Sequence, residues 1–203
     1  MSAAPQAVIF DFGGVMTGEV QREIVVQFLR STLNLSAKEY EKAVEEKRAA
    51  LIKGPSDEGY WLDYAQRKGI ALSPQWSEQF KQAMKEALGI DASMFVLVEE
   101  LKQKQLTVGL LSNIDKRLSL IVRELGLYEP FNPCLLSWEI GVEKPNPQAY
   151  HFLLDHLKLP ASEVIFVDDR LENVTAAQKA GIDAIWFKSP LQLRFELRQR
   201  GVF

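Results

Sequence analysis

Asp11 ends the apolar run Val8-Ile9-Phe10 and opens directly into Phe12-Gly13-Gly14-Val15, so a buried strand delivers a charge into a glycine turn. In open α/β sheets, ligands bind beyond the carboxyl ends of the strands, and glycines let backbone amides approach an anion closely. An Asp in that place can also simply open a tight turn. Leu110-Leu111-Ser112-Asn113 repeats the arrangement with a hydroxyl and an amide, ahead of the helical stretch Lys116 to Val122. Ser112 can hold a phosphate oxygen, and Ser and Asn are also ordinary helix N-caps. The two uses are compatible, since helix N-termini bind phosphates. Lys144 lies in Gly141-Val142-Glu143-Lys144-Pro145-Asn146-Pro147, where proline keeps the lysine backbone extended. A positioned ammonium can neutralise charge on a transferring phosphoryl group, whereas most surface lysines are merely solvated. Phe166-Val167-Asp168-Asp169 sets two adjacent carboxylates at the end of an apolar strand. Like charges that close repel unless a cation compensates, and magnesium suits because it prefers a few carboxylates plus water and phosphate oxygens. The plainer reading has one Asp cap the following helix while the other faces water.

These residues need a scaffold that brings strand ends together. Ala7 to Phe10, Leu106 to Leu111, Val164 to Val167 and Ala184 to Phe187 are short β-prone apolar runs, each reading as a strand buried on both faces, and Cys134 to Ser137 is a weaker fifth. Helical periods lie between them, one through Tyr150 to Leu157 and a last one over Leu191 to Arg200. Strands alternating with helices predict a parallel sheet with right-handed crossovers, an α/β fold. The stretch from about Glu19 to Leu88 differs: it is rich in Glu, Lys, Gln and Ala, spaces Ile24, Phe28, Leu29 and Leu33 helically, and has no convincing strand. Lys53-Gly54-Pro55 breaks it, with Ser56 or Asp57 as an N-cap before Tyr60-Trp61-Leu62. Residues 18–88 therefore read as an inserted helical domain, and 1–17 with 89–203 as a discontinuous core.

Bulk properties narrow the partners. The 203 residues suit one core plus a modest insertion, and 47% hydrophobic with 25% charged residues are ordinary globular values. A net charge of −3 gives no general attraction to phosphate backbones or anionic lipid, so neither nucleic acid nor membrane is expected as a partner. The single cysteine, Cys134, cannot form an intramolecular disulfide and fits a reducing compartment. The apolar start is too short for a signal-peptide core or a membrane span, and the cytoplasm is the expected location.

Taken in order, Asp11-Phe12-Gly13-Gly14-Val15, Ser112-Asn113, Lys144-Pro145 and Asp168-Asp169 resemble the four motifs of the haloacid dehalogenase superfamily. The resemblance spans nearly the whole chain. It implies a Rossmannoid three-layer core with the helical insert as a cap over the site, and a Mg²⁺-dependent phosphatase acting on a small phosphorylated metabolite. Asp11 would attack phosphorus and become an aspartyl-phosphate while the metal shields its charge. The resemblance further implies a metal held by Asp11, the Gly13 carbonyl and Asp169, with Asp168 one shell out, orienting water and Lys144. Ser112, the Asn113 amide, Lys144 and amides near Gly13 and Gly14 would bind the phosphoryl oxygens.

One position departs from the family's usual phosphatase pattern, in which a second Asp stands two residues after the nucleophile as general acid and base. Here it is Gly13. General acid-base help is typically worth about 10²–10⁴-fold. Sugar-phosphate phosphatases similar to α-glucose-1-phosphate phosphatase also show glycine there, and Thr17, Glu19 or a cap residue are candidate substitutes. A 2-haloacid dehalogenase, metal-free and with a Ser-Ser-Asn pattern at the fourth motif, is the alternative within the superfamily. A phosphomutase fits less well, since mutases resemble the pattern with the acid present. A binding or regulatory module disabled by Gly13 is the alternative from another class. Tyr60, Trp61 and Trp76 are candidates to line a substrate pocket or to serve cap-core packing. His151 and His156 do not share a helix face and read as surface or packing residues, and Cys134 as a small buried hydrophobe.

Overall fold

The computed structural model describes residues 4–18, 20–50 and 56–203. The chain divides into two compact units, Met1–Gly18 with Asp91–Phe203, and Glu19–Ile90.

The first unit is an α/β sandwich. Strands β1 (Ala7–Phe10), β2 (Thr107–Ser112), β3 (Cys134–Leu136), β4 (Val164–Asp168) and β5 (Asp183–Trp186) form one sheet in the order β3-β2-β1-β4-β5. Every neighbouring pair is parallel. β1 lies at the centre with all four residues buried, which is why its sequence is an uninterrupted apolar run. Successive side chains point to opposite faces. Ala7 and Ile9 pack with Tyr150, Leu153, Val174 and Ala177, on the face covered by α8 (Pro147–Leu157) and α9 (Leu171–Lys179). Phe10 points the other way and meets Phe131, which in turn meets Phe95 of α5 (Ala92–Gln103). α10 (Pro190–Gln199) is tied to α5 by an ion pair of Arg194 with Glu100.

The predicted strands are all present, with boundaries shifted by a residue at β2 (Thr107–Ser112), β4 (Val164–Asp168) and β5 (Asp183–Trp186), and with one residue changing element. Ser137 belongs not to β3 but to the short helix α7 (Ser137–Ile140). Its hydroxyl accepts from the Ile114 N–H at 3.1 Å and donates to the Ile114 carbonyl at 3.2 Å. That serine thereby fastens the end of β3 to the loop between β2 and α6 (Lys116–Glu124).

The second unit is helical: α1 (Arg22–Thr32), α2 (Ala37–Ala50), α3 (Asp57–Lys68) and α4 (Trp76–Ala87). Ser56 caps α3, its hydroxyl accepting from the Gly59 N–H at 3.0 Å. Tyr60, Trp61 and Trp76 are buried in this unit's own core with Leu29, Leu33 and Phe80. In this unit they serve as core packing residues. The segment 51–55, with the expected break at Lys53, lies outside the described residues.

Candidate active site

The site is built at the carboxyl edge of the sheet. Asp11 follows β1, its N–H bonded to the Val167 carbonyl at 2.8 Å, so the backbones of β1 and β4 are still paired where the charged residues begin. Asp11 is 8% exposed and Asp168 is fully buried. Lys144 Nζ lies 2.7 Å from Asp168 Oδ2 and 3.1 Å from Asp11 Oδ1. One ammonium thus bridges the carboxylates of two central strands.

The two adjacent aspartates occupy different environments. Both Asp168 oxygens are filled by protein donors: Lys144 Nζ, the Arg170 N–H at 2.8 Å, and Asn173 Nδ2 at 3.0 Å from each oxygen. Neither aspartate is the N-cap of α9, which is Arg170, but Asp168 ties the start of that helix to the strand end through Arg170 and Asn173 while also gripping Lys144. Asp169 has a buried Oδ1 with no hydrogen-bond partner. Its backbone carbonyl accepts from Trp186 Nε1 at 2.8 Å. Gly14 has φ +75°, and a Cβ there would overlap Asp169 Oδ2. This glycine is required twice, by its left-handed backbone and by the carboxylate pressed against it.

Among the described residues, Asp11, Asp168 and Asp169 offer oxygens that all lie within 4.8 Å of one another. At an effective dielectric of about 20, two like charges at that separation repel by roughly 3 kcal/mol. Three carboxylates crowd around the Lys144 ammonium, with Arg170 acting on Asp169 as well, so negative charge is in excess at the strand edge. The titration behaviour reflects this. Burial, then the neighbouring Asp168, pushes the Asp11 carboxyl up, with Lys144 pulling the other way. Burial and Asp168 likewise push Asp169 up. The unpartnered Asp169 oxygen and the excess of carboxylates fit a divalent cation in both charge and donor type.

Ser112 is buried at the end of β2. Asn113 is committed to the scaffold: its Nδ2 donates to the Lys144 carbonyl at 2.7 Å and its Oδ1 accepts the Lys144 N–H at 2.9 Å. The second motif thus clamps the third, and the Asn113 carboxamide has both ends occupied. Gly13 is exposed and forms an isolated parallel bridge with Thr17, itself buried. Glu19 lies outside the described residues. His151 lines a groove between α8 and α9 with Leu171 and Thr175, and His156 bonds its own helix at the Phe152 carbonyl. Burial pushes the Cys134 thiol up to about 11, which leaves it protonated and inert. Asn173 and Trp186 were not singled out by the sequence. Asn173, five residues past Asp168 on the first turn of α9, carried a usable signal because that turn faces back to the strand end; Trp186 carried none.

Carboxylates drawn from two strand ends around a buried lysine, on a parallel five-stranded sheet, define an α/β enzyme that works at the sheet's carboxyl edge. A profile of the haloacid dehalogenase-like hydrolases matches residues 5–181, and the chain belongs to that family. It is 37% identical over 114 residues to bifunctional epoxide hydrolase 2 of Mus musculus, covering 54% of this chain and 20% of that protein. It is 36% identical over 110 residues to the sesquiterpene phosphatase astK of Aspergillus oryzae, covering 54% of this chain and 56% of that one. The chain thus matches 20% and 56% of the lengths of these curated relatives. The HAD family enzyme bt-2542 of Bacteroides thetaiotaomicron, solved with magnesium and inorganic phosphate, shares the fold at TM-score 0.53 and 19% identity. That match covers 91% of this chain and 95% of the other.

Proposed function

We propose that this hydrolase is a Mg²⁺-dependent phosphatase of small phosphorylated metabolites, working through an aspartyl-phosphate on Asp11. The observation that carries the reading is the pairing of Asp11 with the Asp168-Asp169 cluster: three carboxylates and one lysine at a single strand edge. A metal-free dehalogenase has no use for that excess negative charge, whereas a phosphoryl transferase needs a cation to bring an anionic nucleophile to an anionic ester.

In this reading Asp11, Asp169 and the Gly13 carbonyl hold the metal. Asp168 acts one layer back, orienting Lys144, because its oxygens are already spent. When bound, Mg²⁺ supplies charge neutralisation between the nucleophile and the phosphoryl group. Asp11 Oδ1 accepts the Phe12 N–H at 2.7 Å, which fixes the carboxylate's rotation. The Lys144 ammonium, the Ser112 hydroxyl, the backbone N–H of Asn113 and amides near Gly13 and Gly14 bind the phosphoryl oxygens where negative charge grows during transfer. The Asn113 side chain contributes indirectly, by holding the backbone of Lys144. The helical unit is the cap that selects among substrates, with sugar phosphates the leading class because glycine at position 13 resembles the α-glucose-1-phosphate phosphatase pattern.

The test is release of inorganic phosphate from p-nitrophenyl phosphate with Mg²⁺ and then with excess chelator, alongside chloride release from 2-chloropropionate. Turnover lost with chelator supports the phosphatase. Chloride release that persists in chelator establishes the dehalogenase instead.

A further inference from the structure

Expelling an alkoxide from phosphorus requires a proton for the departing oxygen, delivered by a group whose acidity is matched to the working pH. None of the side chains placed at the strand edge is spare for that task. Lys144 is locked between Asp11 and Asp168, Asp168 has both oxygens filled, and Asp11 is the nucleophile. Asp169 would be taken up by the metal in the phosphatase reading. Thr17 bridges Gly13, but a hydroxyl is far too weak an acid. Tyr128 packs edge-on against Phe12 at 5.2 Å, and burial pushes its phenol up, so that it holds its proton more tightly.

Gly13 marks the vacancy. Its φ lies outside the left-handed region, so the backbone does not demand glycine, and a Cβ built there meets nothing within 4 Å. In contrast with Gly14, the next residue, the position is open to a side chain.

We infer that this site turns over phosphates whose leaving oxygen departs as a stabilised anion, namely aryl, enol, acyl and anomeric sugar phosphates, and discriminates against primary alkyl phosphates. The inference rests on the phosphatase reading and narrows its substrate class. In the first step an Asp11 oxygen forms a bond to phosphorus while the bond from phosphorus to the leaving oxygen breaks. The electron pair stays on that oxygen, which leaves as an anion and takes its proton from water afterwards. In the second step water attacks the same phosphorus, the bond to Asp11 breaks, and the carboxylate, inorganic phosphate and a proton to solvent are released.

The experiment measures kcat/KM with Mg²⁺ for p-nitrophenyl phosphate, phenyl phosphate and a primary alkyl phosphate, in wild type and in Gly13→Asp, because kcat/KM reports the step in which the leaving group departs. Wild type should show a steep fall along the series and no solvent deuterium isotope effect on the phenyl ester. Gly13→Asp should raise the alkyl phosphate relative to p-nitrophenyl phosphate by about 10²–10⁴-fold, the usual worth of a general acid. A flat wild-type series, or a normal isotope effect showing a proton in flight, overturns the inference while leaving the phosphatase reading intact; both hold whether or not the variant folds. A folded Gly13→Asp protein with an unchanged ratio overturns it as well. Absence of phosphate release even from p-nitrophenyl phosphate overturns the phosphatase reading and the inference together.

Discussion

Asp168 and Asp169 are neighbours in sequence and opposites in environment, and single substitutions separate them. Asp168→Asn removes the fully buried partner of Lys144, and breaking such a pair typically costs about 3–5 kcal/mol. Urea unfolding in chelator should show a loss of that order, with turnover lost as well. Asp169→Asn removes a carboxylate whose deprotonation is opposed by burial and by Asp168. The metal-free protein should therefore melt at the same or a higher temperature, while the Mg²⁺-induced rise in Tm disappears. If both substitutions destabilise the metal-free protein equally, the assignment of Asp169 to the cation and Asp168 to Lys144 is wrong. Asp11→Asn should abolish turnover with an unchanged circular dichroism spectrum; activity retained would exclude covalent catalysis by that side chain.

Elements hold these residues in register, and here the limits of the sequence show. The central strands were legible because β1 and β4 are buried on both faces, which demands continuous apolar runs at Ala7–Phe10 and Val164–Asp168. Asp11 and the two terminal aspartates were legible as site candidates for the same reason: a charge directly after such a buried run is uncommon, although a turn or a helix start can also place one there. Ser137 was misplaced because a serine after Leu136 extends a β pattern as readily as it starts a helix; in the structure its carbonyl accepts the Gly141 N–H at 2.9 Å, closing the turn of α7, while its hydroxyl bonds Ile114, 23 residues away. The clamp of Asn113 on Lys144 spans 31 residues and leaves no periodic trace. Gly109 is an element-scale test. A Cβ there would sit 2.6 Å from the Pro133 carbonyl, where the chain enters β3. Gly109→Ala should destabilise by about 1–3 kcal/mol, the usual cost of overpacking, and should lower activity by displacing Ser112 three residues on. Equilibrium denaturation together with kcat/KM would read both effects.

For the whole molecule, the unbalanced charge links stability to pH and metal. The folded-state pKa values of Asp11 and Asp169 are raised above the ordinary 3.8, so the native state holds protons that the unfolded chain releases. The stability these groups contribute is present below the unfolded value and is lost as pH rises through the raised folded values. A cation that binds the deprotonated form restores it. At a Mg²⁺ concentration 100 times its Kd the gain is about 2.7 kcal/mol. Thermal melts should show a Mg²⁺-dependent rise in Tm at neutral pH that shrinks on acidification toward pH 4, and a rise independent of pH would contradict the linkage. Among the described residues no helix is long and apolar enough to cross a membrane.

The Asp91 N–H bonds to the Met16 carbonyl at 3.1 Å, joining the two points of the first unit that flank the helical insertion. The ends of a 72-residue detour are therefore already stitched together by the framework they leave and re-enter. A splice at that stitch, with a few glycines replacing Glu19–Ile90, should close the gap without stretching β1. If the proposed phosphatase chemistry resides in the first unit, the spliced protein should keep hydrolysis of p-nitrophenyl phosphate, and loss of that activity in a folded splice would show that the insertion takes part in the reaction.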